Sequence, residues 1–324
     1  MRRRDFIAGA AGAAAWPLAA LAQKTERVRL VGILVGNSAD ALGWTEAFKK
    51  GLAGLGWTEG RTIRFEERRP DTDEQFPLYA AQLARLGPDV IHVQGSQSLQ
   101  AMRQATNDIP IVFKGVSDPV AQGFVSSLAR PGGNITGFAD DEFSVASKEL
   151  ELLKKLVPTM ERVAFMYDPS QPAAAGYWAA IETAAPSLAL HAATMPVRTA
   201  EDIERAIVAL AREPNGGLFV MTSTVTLRHR ALIADLAIRY RLPSMHEYQN
   251  FVQGGGLASY APDPVDMSRR AASYVDRILK GEKPRDLPVQ LPTRYQFILN
   301  DKTAKAIGLD IAANVLALAD EVIE

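Results

Sequence analysis

The sequence predicts an α/β protein built from two doubly wound, parallel-sheet lobes. Three observations lead to this fold class. Short β-branched runs alternate with amphipathic helical patterns, which is typical of parallel sheets covered by helices. The alternation starts again near the middle of the chain with the same spacing, since 27 positions separate Ile63 from Val90 and 27 separate Leu190 from Gly217. The 324 residues also exceed the usual size of one hydrophobic core, which favours two domains.

The first half of the chain supplies the elements of one lobe. Five β-branched runs predict strands at residues 28–35, 63–68, 90–94, 111–113 and 135–138. Apolar residues at helical spacing between these runs predict helices over 44–55, 76–86, 98–106 and 119–128. Gly56 follows the first helix and is interpreted as its C-terminal cap rather than as part of a dinucleotide-binding loop.

The second half repeats this order. After a helix over 144–156, strands are predicted at residues 163–167, 190–197, 217–221 and 243–246, with a further strand over 295–300. Thr199, followed three residues later by Asp202, resembles an N-terminal helix cap, and Gly281 is expected to end a helix over 265–280. Because no residue-level repeat accompanies this similarity, we interpret it as two copies of one architecture.

The first 22 residues predict a cleaved export signal. The opening segment RRRDFIAGAAGAAAWPLAALAQ combines a basic start, a brief apolar run and a small-residue triplet that ends at Ala22. Arg3 and Arg4 fit the twin-arginine pattern, although a chance basic N-terminus is the simpler alternative. Pro17 interrupts the apolar run, which is shorter than the roughly 20 residues of a membrane span. We therefore expect a periplasmic location.

Composition and charge narrow the possible partners. The chain has no cysteine, so no lipid-modified cysteine can tether it and no thiol or cysteine-metal chemistry is available. Removal of residues 1–22 takes away three Arg and one Asp, which moves the formal net charge from -1 to -3. Because no basic block is present, we expect no nucleic-acid partner and a soluble, unanchored protein.

Polar residues follow most of the predicted strands, and these turns form the candidate binding site. The carboxyl ends of the strands in two doubly wound sheets are expected to face a shared cleft. Unpaired N–H groups at the helix N-termini attract an anionic group, while acidic side chains suit an ammonium or hydroxyl group. Each residue alone is more simply a helix cap, worth about 1 kcal/mol. The candidate ligand-binding residues are Asn37, Ser96, Gln97, Ser117, Asp118, Tyr167, Asp168, Thr222, Ser223, Glu247 and Tyr248.

Catalytic and metal-binding patterns are scarce in this sequence. The four histidines are scattered, and none has the spacing of a metal-binding pair. The chain has neither a Gly-x-Ser-x-Gly turn nor a Walker-type phosphate loop. The acidic run 140–142 and the basic run 228–230 are interpreted as solvated surfaces. We therefore expect no catalytic residue, no metal and no cofactor.

Three long segments resemble a known family. Residues 117–137 (SDPVAQGFVSSLARPGGNITG), 269–300 and 303–309 are similar to ABC-transporter substrate-binding proteins, a family that includes tryptophan- and tyrosine-binding members. The resemblance implies a periplasmic binding protein fold of type 1, with two lobes joined by a hinge of several crossings. It also implies that a small-molecule solute is closed between the lobes and delivered to an ABC permease in the inner membrane. A monomer is expected.

The resemblance also divides the chain into lobes. Lobe one is expected to contain residues 24–139 and 257–285, and lobe two residues 140–256 and 286–324. The glycines at 254–256 are interpreted as the return crossing of the hinge, because three glycines can absorb a backbone rotation.

Three functional hypotheses follow from these features. The leading one is the periplasmic solute-binding component of an ABC importer, which captures a small polar solute, an amino acid being one candidate. An exported two-lobed enzyme that acts on a nucleotide sugar is the first alternative, and a ligand-sensing partner of a membrane receptor is the second. The scarcity of reactive groups favours a binding protein over an enzyme.

Overall fold

A computed structural model of the chain describes residues 27–324, so the predicted twin-arginine signal over 1–22 lies outside the described residues. The first sheet has five strands, all parallel, in the order β2-β1-β3-β4-β5. Its strands are β1 (Arg29–Leu34), β2 (Ile63–Arg68), β3 (Val90–Gln94), β4 (Ile111–Val116) and β5 (Ile135–Ala139). The five strands predicted from the first half of the sequence are confirmed. Strands β1, β3, β4 and β5 are buried almost throughout, as is typical of parallel sheets, whereas β2 is partly exposed.

Three helices connect the strands of the first lobe. They are α1 (Ala39–Gly54), α2 (Gln75–Arg85) and α3 (Gly95–Ala105). Helix α1 begins where the Ser38 hydroxyl accepts a hydrogen bond from the Ala41 N–H, and it ends before Gly56, whose φ is 95°. Gly56 is therefore the left-handed cap that the sequence predicted.

The predicted helix over 119–128 is wrong. This segment is a series of turns. It follows Asp118, whose φ is 39°, and contains Gly123, whose φ is 70°. A helix cannot pass through residues with positive φ. The apolar spacing that suggested a helix instead places Phe124 and Val125 in the core of the first lobe.

The second sheet has seven strands in the order β12-β11-β10-β9-β8-β6-β7. Its strands are β6 (Arg162–Tyr167), β7 (His191–Pro196), β8 (Gly216–Val220), β9 (Ser244–His246), β10 (Ala258–Ala261), β11 (Gln296–Asn300) and β12 (Glu321–Ile323). The part β7-β6-β8-β9-β10 repeats the strand order of the first sheet, so the two lobes share one architecture. Strand β11 runs antiparallel to β10 and is the exception to the parallel pairing that the sequence predicted.

Helices cover both faces of the second sheet. They are α4 (Val145–Leu156), α5 (Ala174–Ala184), α6 (Ala200–Leu210), α7 (Thr224–Arg228), α8 (Arg230–Arg239), α9 (Gln249–Gln253), α11 (Asp301–Ala306) and α12 (Ala313–Leu316), with a short 3₁₀ turn at Ala185–Leu188. A second 3₁₀ turn, Pro284–Asp286, lies in the first lobe, where the Leu287 carbonyl after it accepts a hydrogen bond from the Thr136 hydroxyl of β5 over 2.6 Å. Thr199 and Asp202 form the predicted N-terminal cap of α6. The Thr199 hydroxyl accepts a hydrogen bond from the Asp202 N–H, and the Asp202 carboxylate accepts one from the Thr199 N–H.

Helix α10 (Pro264–Leu279) follows the second-sheet strand β10 but packs on the first lobe. It lies against α1 so closely that a Cβ added to Gly51 would be 2.8 Å from the Ala272 Cβ. The Trp57 indole also donates a hydrogen bond to the Asp276 carboxylate over 2.9 Å. Gly281, with a φ of 111°, follows the helix as predicted.

The chain crosses between the lobes three times. The crossings lie at 140–144 after β5, at 262–263 between β10 and α10, and at 291–295 before β11. Residues 257–260 were expected in lobe one, which is wrong, because β10 pairs with β9 and β11 in the second sheet. Residues 286–290 were expected in lobe two, which is also wrong, because the Gln290 N–H donates a hydrogen bond to the Gly137 carbonyl of β5 over 3.0 Å. The glycines at 254–256 therefore precede β10 inside the second lobe. They allow close packing there, since a Cβ on Gly256 would be 2.6 Å from the His246 ring.

Among residues 27–324, no helix combines the length and the apolar character that a membrane span requires.

Candidate functional site

A cleft lies between the two lobes at the carboxyl ends of their strands. The empty space between its lining atoms, including the part open to solvent, is about 730 Å³. The first lobe lines it with residues that follow β1, β3 and β4, and the second lobe with residues that follow β8 and β9. This is the edge at which doubly wound sheets bind their ligands.

The two lobes touch at the mouth of the cleft. The Gln97 side-chain amide of the first lobe donates a hydrogen bond to the Ser170 hydroxyl of the second over 3.2 Å. Gly36 packs against Thr224 so closely that a Cβ at Gly36 would be 2.6 Å from the Thr224 hydroxyl oxygen. These contacts close the cleft on its outer side.

Lys114 supplies a positive charge inside the cleft. It occupies the carboxyl end of β4, only 1% of it is exposed, and its Nζ lies 4.0 Å from the centre of the Trp44 ring. Among the described residues it forms no ion pair within 4.0 Å. Burial lowers the Lys114 pKa to about 8, although Asp140 and Asp263 partly oppose the shift. The ammonium is thus held by a ring face and remains free to bind an anion.

Asp140 supplies a negative charge on the adjoining wall. Its Oδ2 accepts a hydrogen bond from the Tyr248 hydroxyl, while its Oδ1 is buried without a partner. Burial raises the Asp140 pKa, and Lys114 and the Tyr248 hydrogen bond lower it in part. The interpretation of 140–142 as a solvated surface is therefore wrong for Asp140 and Asp141, each 7% exposed, because the chain enters the gap between the lobes at this crossing.

Glu247, directly after β9, adds a second carboxyl group. Its Oε2 accepts a hydrogen bond from the Thr222 N–H over 2.7 Å, and its Oε1 is buried without a partner. Burial, followed by repulsion from Asp141, raises the Glu247 pKa to about 8. An unpaired carboxyl oxygen in such a position is stabilised when a donor reaches it.

Neutral donors complete the first-lobe wall. Helix α3 begins in the cleft, and its cap residue Gln94 supplies no side-chain hydrogen bond to the helix N-terminus. The first N–H groups of a helix have no intrahelical partner and attract negative charge. The Ser96 hydroxyl accepts a hydrogen bond from the Gln122 amide over 3.0 Å, and the Ser117 hydroxyl pairs with the Tyr177 hydroxyl over 2.9 Å. This wall therefore suits an anionic group close to Lys114.

Seven of the eleven residues predicted from the sequence line the cleft. They are Ser96, Gln97, Ser117, Thr222, Ser223, Glu247 and Tyr248. Ser223 also caps α7 through a hydrogen bond to the Thr226 N–H, so capping and cleft placement coexist there. That these residues contact a ligand stays a prediction.

The other four predicted residues lie outside the cleft lining, and each has a local role. Asn37 is exposed and donates a hydrogen bond to Asp71. Asp118 accepts from the Ala121 N–H, and Asp168 accepts from the Ser170 N–H and hydroxyl, so both cap turns. The Tyr167 ring stacks on Phe165, 5.1 Å between centroids, and packs against the second-lobe core.

Sequence reasoning missed several polar residues of the cleft, among them Gln94, Lys114, Asp140 and Tyr177. Gln94 ends β3 and Lys114 lies two residues before the end of β4, each directly before a glycine, in VIHVQG and IVFKG. A polar side chain beside a glycine in a mostly apolar run was the one weak indication, because such a side chain must find a partner near the sheet edge.

The fold and the cleft define a two-lobed solute-binding protein. The chain belongs to the family of ABC transporter substrate binding proteins, whose model matches residues 29–323. The resemblance noted from the sequence and the type 1 periplasmic binding protein fold are thereby confirmed.

Several known proteins are similar to this chain. The tyrosine-binding protein of Clostridioides difficile is 26% identical over 265 residues, which cover 82% of this chain and 76% of the relative. A conserved domain protein from Vibrio cholerae matches with a TM-score of 0.85 at 24% identity, covering 92% of this chain and all of its own. An ABC domain from Streptococcus pneumonia, solved in complex with L-Trp, matches with a TM-score of 0.83 at 23% identity, covering 91% and 100% of the two chains.

Proposed function

We propose that this protein is a periplasmic receptor that captures an α-amino acid in the cleft and delivers it, chemically unchanged, to an ABC permease of the inner membrane. The observation that carries this proposal is the opposition of charges inside one buried cleft. Within the described part of the chain, Lys114 has no ion-pair partner on one wall, and Glu247 and Asp140 have unpartnered oxygens on the next. A free amino acid carries one group of each sign.

The carboxylate of the solute would lie on the first-lobe wall. There the Lys114 ammonium and the N-terminus of helix α3 offer positive charge and N–H donors. Hydrogen bonds to charged groups are stronger than neutral ones, so this end fixes the orientation of the solute. The Ser96 hydroxyl lies beside the same helix N-terminus and adds a neutral donor.

The ammonium of the solute would face the acidic wall. Glu247 Oε1 and Asp140 Oδ1 are the buried acceptors that lack a partner there. The remaining lining is apolar or aromatic, with Trp44 and Phe76 from the first lobe and Met221 from the second. These groups suit the carbon skeleton of a side chain. The tyrosine-binding relative and the neighbour solved with L-Trp support an amino acid as the solute class.

Ligand contacts on both lobes would favour the closed arrangement over an open one. A ligand shifts such an equilibrium by its difference in affinity for the two states, and only the closed state brings Lys114 and Glu247 to the same solute. We propose a monomer, because both walls of the cleft come from one chain. The alternatives, a nucleotide-sugar enzyme and a sensing partner of a membrane receptor, are not favoured by the family to which the chain belongs.

Isothermal titration calorimetry with the common L-amino acids tests this proposal. Lys114→Met keeps the length of the side chain and removes its charge, so it should weaken binding of the preferred amino acid by about 10- to 100-fold. Lys155→Met, on the exposed face of α4, is the matched control and should bind like the unaltered protein. Absence of binding for every amino acid, or equal affinity in the two variants, would refute the proposal.

A further inference from the structure

A second, smaller cavity adjoins the cleft on the side of the crossing segments. It has room for about one group the size of a water molecule or an ammonium, and it lies beside Tyr260 and the crossing at 262–263. We call it the rear cavity. Glu247 and Asp140 line both the cleft and the rear cavity, so the two spaces meet at the acidic wall.

Two carboxyl groups of the rear cavity have no role in binding the carboxylate and the α-ammonium of the proposed amino acid. Glu149, on α4, is 1% exposed, and its Oε2 is buried without a hydrogen-bond partner. Asp141 is 7% exposed; its Oδ2 accepts a hydrogen bond from the Tyr177 hydroxyl over 2.6 Å, while its Oδ1 has no partner. Buried acceptors are rarely left unpaired, because the loss of hydration is not compensated.

Acidic groups outnumber basic groups around the two cavities. Among the described residues, four carboxyl groups line them, at Asp140, Asp141, Glu149 and Glu247, and one lysine, Lys114. Burial, followed by repulsion between neighbouring carboxyl groups, raises the Asp141 pKa to about 7 and the Glu149 pKa well above its ordinary value. An ammonium group beside these carboxyl groups would lower their pKa values, because it stabilises the charged form. An amino acid with an apolar side chain brings no such group to the rear cavity.

We propose that the rear cavity is a subsite for a second ammonium group, so that the solutes of this receptor are α-amino acids whose side chain ends in a primary ammonium. This inference rests on the proposed amino-acid function. An ammonium has three N–H donors, and the rear cavity offers unpartnered oxygens on Asp141 and Glu149, which the α-ammonium of the solute does not use.

Two observations favour an ammonium group over other cations. Within residues 27–324, no group of three or more His, Asp or Glu side chains has an arrangement that could hold a metal ion. Asp140 and Glu247 also line both spaces, so a methylene chain anchored in the cleft would pass these side chains to place its ammonium in the rear cavity. The curated relative is named for tyrosine, so this chain would differ from it in solute class.

Matched solute pairs test the inference by calorimetry on the purified protein near neutral pH. Ornithine and lysine carry the second ammonium, and norvaline and norleucine have similar chains without it. At least one ammonium-bearing member should bind about tenfold or more tightly than its neutral partner. Glu149→Gln should narrow this preference to below about threefold, because the charge that holds the ammonium is lost. Glu151→Gln, two positions away on α4 and paired with Lys148 and Lys155, should keep it.

The outcomes separate this inference from the proposed function. Binding of norvaline and norleucine as tight as that of ornithine and lysine would overturn the subsite and leave the amino-acid function intact. Failure of all α-amino acids to bind would instead overturn the proposed function. If Glu149→Gln does not fold, as judged by thermal unfolding, Asp141→Asn tests the same loss of preference.

Discussion

Arg230 and Asp40 form an ion pair that joins the two lobes, with 3.0 Å between the guanidinium nitrogen Nη1 and the carboxylate oxygen Oδ2. Arg230 begins helix α8 of the second lobe, and Asp40 lies in the first turn of α1 in the first. Arg228 reaches the first lobe as well, with a hydrogen bond to the Asp71 carbonyl over 2.9 Å. The interpretation of 228–230 as a solvated surface is therefore wrong for Arg230, which is half-buried opposite Asp40, whereas Arg228 stays exposed beside Asp71.

Replacement of Arg230 should loosen the closed state. Because partly exposed ion pairs contribute little, we expect Arg230→Gln to weaken solute binding by about two- to fivefold. Small-angle X-ray scattering of the solute-free protein should give a larger radius of gyration for this variant. Arg239→Gln, an exposed arginine at the other end of α8, is the control. An unchanged radius together with unchanged affinity would show that the ion pair does not hold the lobes.

The affinity for an amino acid should pass through a maximum near pH 8. Below that pH the Glu247 carboxyl, with a pKa of about 8 in the solute-free protein, must lose a proton before it can bind an ammonium. The association constant should therefore rise with pH, by at most about tenfold per pH unit for one proton. Above that pH Lys114, with a pKa also about 8, loses the charge that binds the carboxylate.

Calorimetry across this pH range checks the profile. Glu247→Gln should remove the rise on the acid side, since no proton has to leave, while the fall on the alkaline side remains. A profile of the unaltered protein that is flat between about pH 6 and 10 would contradict the roles assigned to both groups.

Gly137 should be essential for the first sheet. A Cβ added at this position of β5 would be 2.1 Å from the Phe113 carbonyl oxygen of the neighbouring strand β4. Since neither backbone can move without breaking the pairing, Gly137→Ala should lower the free energy of unfolding by about 2 to 4 kcal/mol. Urea denaturation measures this loss. Gly133→Ala, where nothing lies within 4 Å of the added atom, is the control, and an equal midpoint for the two variants would refute the close approach.

Most of the fold could be predicted from local sequence patterns. Strands such as Arg29–Leu34 and Arg162–Tyr167 are short apolar runs, and burial on both faces produces that pattern directly. Strand β10 has the sequence ASYA, without a β-branched residue, so its place in the second sheet depends on pairing with distant strands. The glycines at 254–256 resembled a hinge in the sequence, because the sequence does not show which side chains pack against them.

The position of the site and several of its neutral polar residues could be predicted from the sequence, but most of its buried charged residues could not. Hydroxyl and amide residues after strands, such as Ser96 and Thr222, could be found because the strand ends define the cleft. Lys114 and Asp140 could not, because lysine and aspartate are normally exposed and their burial depends on how the two lobes close. Glu149 lies on an amphipathic helix, where the closing of the crossing segments over it decides its burial.

The most direct test of the account compares the preferred amino acid with two of its derivatives by calorimetry. The carboxamide removes the charge that Lys114 would bind, and the des-amino acid removes the ammonium that Glu247 and Asp140 would bind. Each derivative should bind about 50-fold or more weakly than the amino acid, since each leaves a buried charge unpaired. Retention of full affinity by either derivative would contradict the claim that opposite charges hold the two ends of the solute.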